Sequence, residues 1–458
     1  MRDAEPKVFW LDRADAPGSS PAVQGTIETD LLIIGGGFTG LWAAVQAKER
    51  SPGRDVVLVE ADAIAAHATG RNGGFVDASI THGLANGVSH FPQEVDRLIE
   101  FGNDNLREIE AALARYNIDA DYEHVGGLEV ATATWQLDEI EAGVELAGRY
   151  GESVALLDAE ALRALVDSPT YVGGARRASG VATVDPAKLA WGLADAAASL
   201  GVRRFERTPV RSLEALPTAI VARCPAGTVR ARKVVLATNA LSALVPAIRR
   251  RVVPVWDYVL VTEPLSDAQL ASIGWTGREG IGDAANQFHY YRLTADRRIL
   301  WGGYDAVYYR GGDIAPARAQ RMETFVTLAQ HFFTTFPQLE GLRFTHRWGG
   351  VIDTSSRFCV TFGTAHDGRV SYAVGYTGLG VAATRFGARV ALDLLDDPAS
   401  ELLHLDFVRS KPFPFPPEPV RNVVIQLTRR AIARSDRNEG RRGPWLRLLD
   451  TLGVGFDS

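Results

Sequence analysis

The 458-residue chain is poor in sulfur, with two methionines and two cysteines, Cys224 and Cys359. Such a pair allows one disulfide at most, and a secreted scaffold that depends on disulfides carries more, so free thiols in a reducing compartment are the simpler reading. Excess positive charge is lacking too. Lys and Arg number 49 against 55 Asp and Glu, a formal net charge of −6, which argues against nucleic-acid binding as the main business. Apolar runs are short, DLLIIGGGF among the longest, and too short for a bilayer span. The N-terminus, MRDAEPKVFWLDRADAPG, alternates charged and apolar residues where a secretion signal would have a basic end and an apolar core, so a cytoplasmic location is expected. No metal centre is expected.

What is present is an ordinary globular composition, 46% hydrophobic and 23% charged, in a chain longer than one core usually serves. Two domains, interleaved in sequence, are the expectation. Residues 1–26, with Pro6, Pro17, Gly18 and Pro21, read as an extended lead-in. Residues 30–34 and 55–60 are short apolar runs flanking a helical stretch at 39–50, a βαβ unit with parallel pairing. Asp185-Pro186 opens a helix, and 201–206 and 233–238 read as further buried strands. Residues 92–116 and 135–150 read as surface helices around a strand at 126–132. From Arg251 to Phe344 aromatic and β-branched runs punctuated by turns suggest an antiparallel sheet. The expected class is α/β, α+β overall. A Rossmann-type nucleotide domain (27–90, 181–250, 345–410) interleaves with a second domain on a largely antiparallel sheet with helices (91–180, 251–344). Residues 411–458 form a C-terminal extension.

The spacing Gly35-x-Gly37-x-x-Gly40, with Phe38 and Thr39 between, puts glycine at a tight turn, at a close approach to pyrophosphate and at a helix–strand contact. The helix N-terminus then faces the phosphates. With 45 glycines a chance match is easy, but this one follows a strand and opens a helix. It is answered by Glu60, placed to accept from ribose hydroxyls. A second glycine-rich passage, AIAAHATGRNGGF, separates FAD from NAD. In it Arg71 can neutralise phosphate, and Gly73 and Gly74 let the chain pass a flat ring.

These motifs together resemble the D-amino-acid-oxidase-like FAD-dependent oxidoreductases over nearly the whole chain. The resemblance rests on FWLD (9–12), GGGFTGLWAA (35–44), HATGRNGG (67–74), VLATNA (235–240), HRWGGVIDTS (346–355) and GYTGLGVAATRFGARV (375–390). Within the family the pattern is similar to the gamma-glutamylputrescine oxidoreductase-like, glycine oxidase-like and dimethylglycine dehydrogenase-like groups, the first through TGRNGG and the terminal RRGPWLRLLDTLGVGFDS. The resemblance implies a non-contiguous FAD site. Glu60 would lie on the ribose, Val210 beside adenine, and Ala237 and Asn239 near the nucleotide half. Thr69, Arg71, Asn72, Gly73, Gly74, Gly349 and Gly375 would line the flavin end, and amides around Thr377, Gly378, Leu379 and Gly380 would stabilise negative charge on the reduced flavin. His67 resembles the histidine that bonds the flavin in dimethylglycine dehydrogenase-type members, so covalent FAD stays open beside a histidine that only packs. Sarcosine oxidase attaches its flavin through a cysteine in the segment matching 348–355, which has none here; Cys359 reads as a buried hydrophobe.

The implied activity is oxidation of the C–N bond of a primary or secondary amine or amino acid by hydride transfer to the flavin. The imine then hydrolyses, and oxygen or another acceptor takes the electrons. Tyr258, Tyr291 and Arg292 are the candidates for the substrate side, the tyrosines as a wall with a hydroxyl and Arg292 as a fork for an anionic end. His289 and Trp348 are weaker candidates. Trp301 stands where sarcosine oxidase has an oxygen-activating lysine, and no lysine occurs between Lys233 and Lys411. The competing readings are a flavin monooxygenase using NAD(P)H, for which no second strong glycine motif is found, and a non-catalytic flavin-binding protein. The basic segment with Arg429, Arg430, Arg434, Arg441 and Arg442 reads either as a membrane-surface helix or, more often for such segments, as a helix docked on its own protein, so membrane contact is not expected. Oligomeric state is open.

Overall fold

The computed structural model describes residues 3–241 and 244–454, so the last four residues of the terminal motif, 455–458, lie outside the described residues. In strand Gly25–Ile34, Leu31 and Ile33 enter one apolar cluster and Leu32 and Ile34 another. Both faces are covered, which is why the segment is apolar without alternation. The strand sits inside a parallel sheet between Gly227–Leu236 and Val56–Val59, extended by Val370–Val374 on the first flank and Arg203–Phe205 on the second. Thr361–Ala365 adds an antiparallel edge, and Ser212–Ala215 with Ile220–Cys224 forms an antiparallel meander on Gly227–Leu236. Helices Phe38–Arg50, Pro186–Ser199 and Gly380–Asp396 cover one face. The second of these starts as its sequence indicates: the Asp185 carboxylate accepts from the N–H groups of Ala187 and Lys188, with Pro186 in the first turn.

The second sheet runs in the order Phe344–Ser355, Val252–Thr262, Ile299–Gly303, His289–Leu293, Gly280–Asp283, Gly127–Ala131, Gly173–Arg177, Val154–Asp158. Its pairings are antiparallel except the parallel contact of Gly280–Asp283 with Gly127–Ala131. One face packs on helix Met322–Thr335 through Trp256, Tyr258, Leu260, Tyr291 and Trp301. The opposite face carries Val259, Leu300 and Trp348 and receives Trp10 of the lead-in.

Two expected domain boundaries move. Strand Phe344–Ser355, placed by sequence with the nucleotide unit, pairs with Val252–Thr262 along its whole length, because its alternation matches the second sheet's faces. Helix Val95–Arg115, expected in the second domain, buries Leu106, Ile109 and Leu113 in the core of the first, and Asn105 donates to the Ala382 carbonyl at 2.9 Å. Its amphipathic pattern specified a buried stripe without specifying the partner. The C-terminal helix Val420–Arg437 docks on its own protein: Asp436 accepts from the N–H groups of Asn286 and Gln287 at 3.0 Å, and Arg429 pairs with Asp305 at 2.5 Å. No helix among the described residues is long and apolar enough to cross a membrane.

Candidate cofactor and substrate site

The glycine turn is packed by the chain that surrounds it. Gly35 has φ +117°, and a Cβ there would strike the Ala237 carbonyl oxygen; a Cβ on Gly40 would strike the carbonyl of Gly35. Ala237 therefore acts through its backbone, its N–H donating to Ile34 at 2.8 Å. Gly37 caps helix Phe38–Arg50 without a side chain, so the first turn presents N–H groups that have no acceptor within the helix. Phe38 N donates to Thr69 Oγ1 at 3.0 Å, which joins this turn to the second glycine passage. Glu60, at the end of strand Val56–Val59, is buried and accepts from Gly36 N at 2.6 Å and Asp62 N at 2.9 Å, leaving a further lone pair on each oxygen. Val210 packs beside the same sheet, and Asn239 holds φ +51° with its Oδ1 accepting from Ala240 N at 2.6 Å. Glu206, which sequence reasoning missed, is buried nearby and accepts from Ile64 N at 2.7 Å.

A second uncapped helix N-terminus lies in the same region. Gly375 (φ +86°), Thr377 (φ +51°) and Gly378 (φ +96°) bend the chain ahead of Gly380–Asp396, whose N-cap Leu379 makes no side-chain bond. Asp353, also missed, holds this bend: its carboxylate accepts from Gly375 N at 2.5 Å and Tyr376 N at 3.2 Å. Burial pushes its pKa up to about 7. Ser355 N donates to Thr377 Oγ1 at 3.1 Å, and Thr39 Oγ1 donates to the Tyr376 hydroxyl at 3.1 Å, tying the two helix starts together. The fold thus brings two helix N-termini, the buried Glu60 carboxylate and two glycine passages to one end of the parallel sheet, a donor set suited to a dinucleotide with an anionic ring.

The family model described as FAD dependent oxidoreductase matches residues 30–394. The chain belongs to this family of FAD-dependent oxidoreductases. It is 34% identical to the gamma-glutamylputrescine oxidoreductase of Escherichia coli over 397 residues, covering 85% of this chain and 88% of that protein. Among solved structures it resembles the L-proline dehydrogenase of P. horikoshii (TM-score 0.68, 17% identity, 82% of this chain and 96% of that one). It also resembles the glycine oxidase of Bacillus cereus (TM-score 0.66, 19% identity, 84% and 99%). The cofactor is FAD.

The Arg71–Gly74 segment of this oxidoreductase is built tightly into the second sheet. Arg71 directs Nε to the Ala66 carbonyl at 2.9 Å and Nη1 to that of Gly349 at 3.0 Å, and Trp348 Nε1 donates to the Arg71 carbonyl at 2.9 Å. Asn72 accepts from Gly74 N at 2.8 Å and donates to the Thr69 carbonyl at 2.6 Å. Gly73 leaves room for Tyr290, and Gly74 for Val184 and Arg292, so these glycines meet the chain's own atoms. His67 is exposed and bonded through Nε2 to Asp62 at 2.6 Å. Cys359 is buried, as expected.

Three substrate-side expectations change. Tyr258 and Tyr291 lie on the face of the second sheet turned away from the glycine passages. Tyr258 packs edge-on to Phe325 and donates to the Arg318 carbonyl at 2.8 Å; Tyr291 meets the Tyr171 hydroxyl at 2.6 Å among Trp275, Trp301 and Phe336. Burial raises both phenol pKa values. Arg292 is on the expected face, but Nη1 donates to the carbonyls of Gly74 at 3.0 Å and Val184 at 2.8 Å, and Nε to that of Leu293 at 3.2 Å. It is 1% exposed, and burial lowers its pKa to about 10. His289 bonds Asp283 at 2.7 Å and His331 at 2.9 Å beside the buried Trp301, in a cluster on the far face. Beside Arg292, the face toward the glycine passage carries Asp257 and Tyr290, one position from each tyrosine named by sequence. With a period of two, a shift of one residue changes the face; HYYRL and WDYVL held the signal, but not its phase.

Proposed function

We propose that this FAD-dependent oxidoreductase oxidises the C–N bond of a primary or secondary amine or amino acid. The amine loses two electrons and two protons to become an imine, water converts the imine to an aldehyde or ketone, and oxygen or another acceptor takes up the electrons. What supports this reading is the half-open face bearing Asp257 and Tyr290, set against the Arg71–Gly74 segment in a chain 34% identical to gamma-glutamylputrescine oxidoreductase. FAD, when bound, supplies the two-electron acceptor. The Gly35–Gly40 turn and Glu60 would hold its dinucleotide part, with Val210, Ala237 and Asn239 around the adenosine. Thr377 to Gly380 would present helix-start amides to the anionic side of the ring, held in place by Asp353. The second sheet's face positions the amine and keeps water out, so orientation supplies much of the rate.

The test is anaerobic mixing of the holoprotein with a panel of N-acylated diamines, N-methyl amino acids and simple amino acids, followed by absorbance. Bleaching by at least one amine is expected, and peroxide formation in air then separates oxidase from dehydrogenase. Bleaching by NADPH and by no amine would overturn the proposal.

A further inference from the structure

We propose that Asp257 is the group that receives the substrate's ammonium nitrogen and takes its proton, with Tyr290, Phe75 and Phe288 forming the aromatic wall around that cation. This rests on the amine-oxidation reading above. The cross-strand partner of Asp257 is Gly350, whose missing side chain leaves space against the Cβ of Arg71, so Asp257 stands on the face turned to the flavin-side segment. Tyr290 donates its hydroxyl to the Asp257 carboxylate and is seated over two glycines, Gly73 and Gly302, where any Cβ would press on its ring. Phe75 meets Tyr290 edge-on at 5.8 Å, and the Phe288 ring lies 6.5 Å away and is 41% exposed. Phe288 is exposed, and Asp257, Tyr290 and Phe75 are half-buried residues. A carboxylate flanked by aromatic rings is the chemistry that recognises an ammonium ion.

Two arginines near this face hold main-chain carbonyls. Arg292 and Arg71 use their N–H groups on main-chain carbonyls, and lysine is absent from 234 to 410. The carboxylate that this face offers to a ligand's ammonium group is that of Asp257. Burial raises the Asp257 pKa to about 6; Asp305 also raises it, while the Tyr290 hydroxyl and the N–H groups of Tyr258 and Gly303 lower it. A carboxylate of that basicity is ionised at neutral pH yet able to accept a proton. Transfer of one proton from the ammonium nitrogen to a carboxylate oxygen of Asp257 restores the nitrogen lone pair that C–N oxidation needs, and the pair stays neutral in sum. The favoured substrate class is an alkyl amine whose reacting end carries no carboxylate, such as an N-acylated diamine.

Two measurements on the holoprotein test this. The first is binding of trimethyl-(4-acetamidobutyl)ammonium, a cation that cannot be oxidised by the same route, read from the flavin absorbance shift. The second is the pH profile of kcat/KM for N-acetylputrescine. Asp257→Asn should weaken binding of the quaternary ion roughly ten- to a hundredfold, the size of one charged hydrogen bond or ion contact. It should also abolish a decline in kcat/KM below about pH 6, with FAD content and melting temperature preserved. Tyr290→Phe should move that limb without removing it. Unchanged binding and an unchanged pH limb in Asp257→Asn, with amines still bleaching the flavin, would overturn the assignment and leave the oxidation reading standing. Loss of quaternary-ion binding in Asp257→Asn in a protein that no amine bleaches would support the cation site and overturn the oxidation reading.

Discussion

Arg292 shows how a residue's chemistry and its position can point in opposite directions. An arginine in an aromatic strand suggests a carboxylate fork, yet here its N–H groups satisfy the carbonyls of Gly74, Val184 and Leu293 in a dry environment. Arg292→Met should therefore act on stability. The Gly74 carbonyl keeps the Val184 N–H as a donor, but the Val184 carbonyl loses its Arg292 bond; an unpaired buried carbonyl costs about 1–3 kcal/mol, so the melting temperature should drop by several degrees. A rise in KM for amino acids at unchanged melting temperature would instead return Arg292 to substrate binding. For His67, the surface contact with Asp62 favours a histidine that does not bond the cofactor. Acid precipitation should leave the yellow colour in the supernatant, and colour in the pellet that His67→Ala removes would show a covalent link. The partners of Arg292 could not be read from its neighbours in sequence, since Gly74 and Val184 lie 218 and 108 positions away, whereas Asp62 lies five positions from His67.

At the scale of elements, the bend before Gly380–Asp396 depends on one carboxylate contributed by another strand. Because Asp353 keeps its proton to about pH 7 when folded, whereas an exposed aspartate loses it near 4, the folded state binds more protons between those values. Its contribution to stability is full below about pH 4 and falls as pH rises to about 7. Asp353→Asn, which has no proton to release, should gain in stability relative to wild type from pH 5 to pH 8 in thermal melts. A difference that stays flat with pH would count against an Asp353 pKa displaced this far. Gly35→Ala tests the other helix start: a side chain at φ +117° that also meets the Ala237 carbonyl should cost roughly 1–3 kcal/mol and release FAD, read from the ratio of flavin to protein absorbance.

For the whole molecule, the nucleotide unit and the second sheet meet along the cofactor segments, with the N-terminal lead-in laid across the join. Trp10 donates to the Asn72 carbonyl at 2.9 Å, and Glu5 N donates to that of Thr345 at 2.8 Å. On the proposed reading FAD lies between these parts, and its binding energy adds to the folded state: about 2.7 kcal/mol is expected at a hundredfold excess of cofactor over Kd. Melting with and without added FAD should show the shift; no shift would mean that the site contributes no net binding energy on folding.

The amino-acid sequence alone determined the nucleotide unit, because its signals are local: a doubly buried strand, a glycine turn and a helix start all lie within residues 31–40. The matching motifs over 30–394 extended this to FAD and the family. Tertiary structure decided which face of the second sheet each candidate side chain takes. Tyr258 against Asp257, and Tyr291 against Tyr290, is a choice of phase in a strand whose two faces are both lined with apolar and aromatic residues, so alternation cannot say which face is inward. Only the packing of helix Met322–Thr335 on one face and of the Arg71–Gly74 segment on the other resolves it.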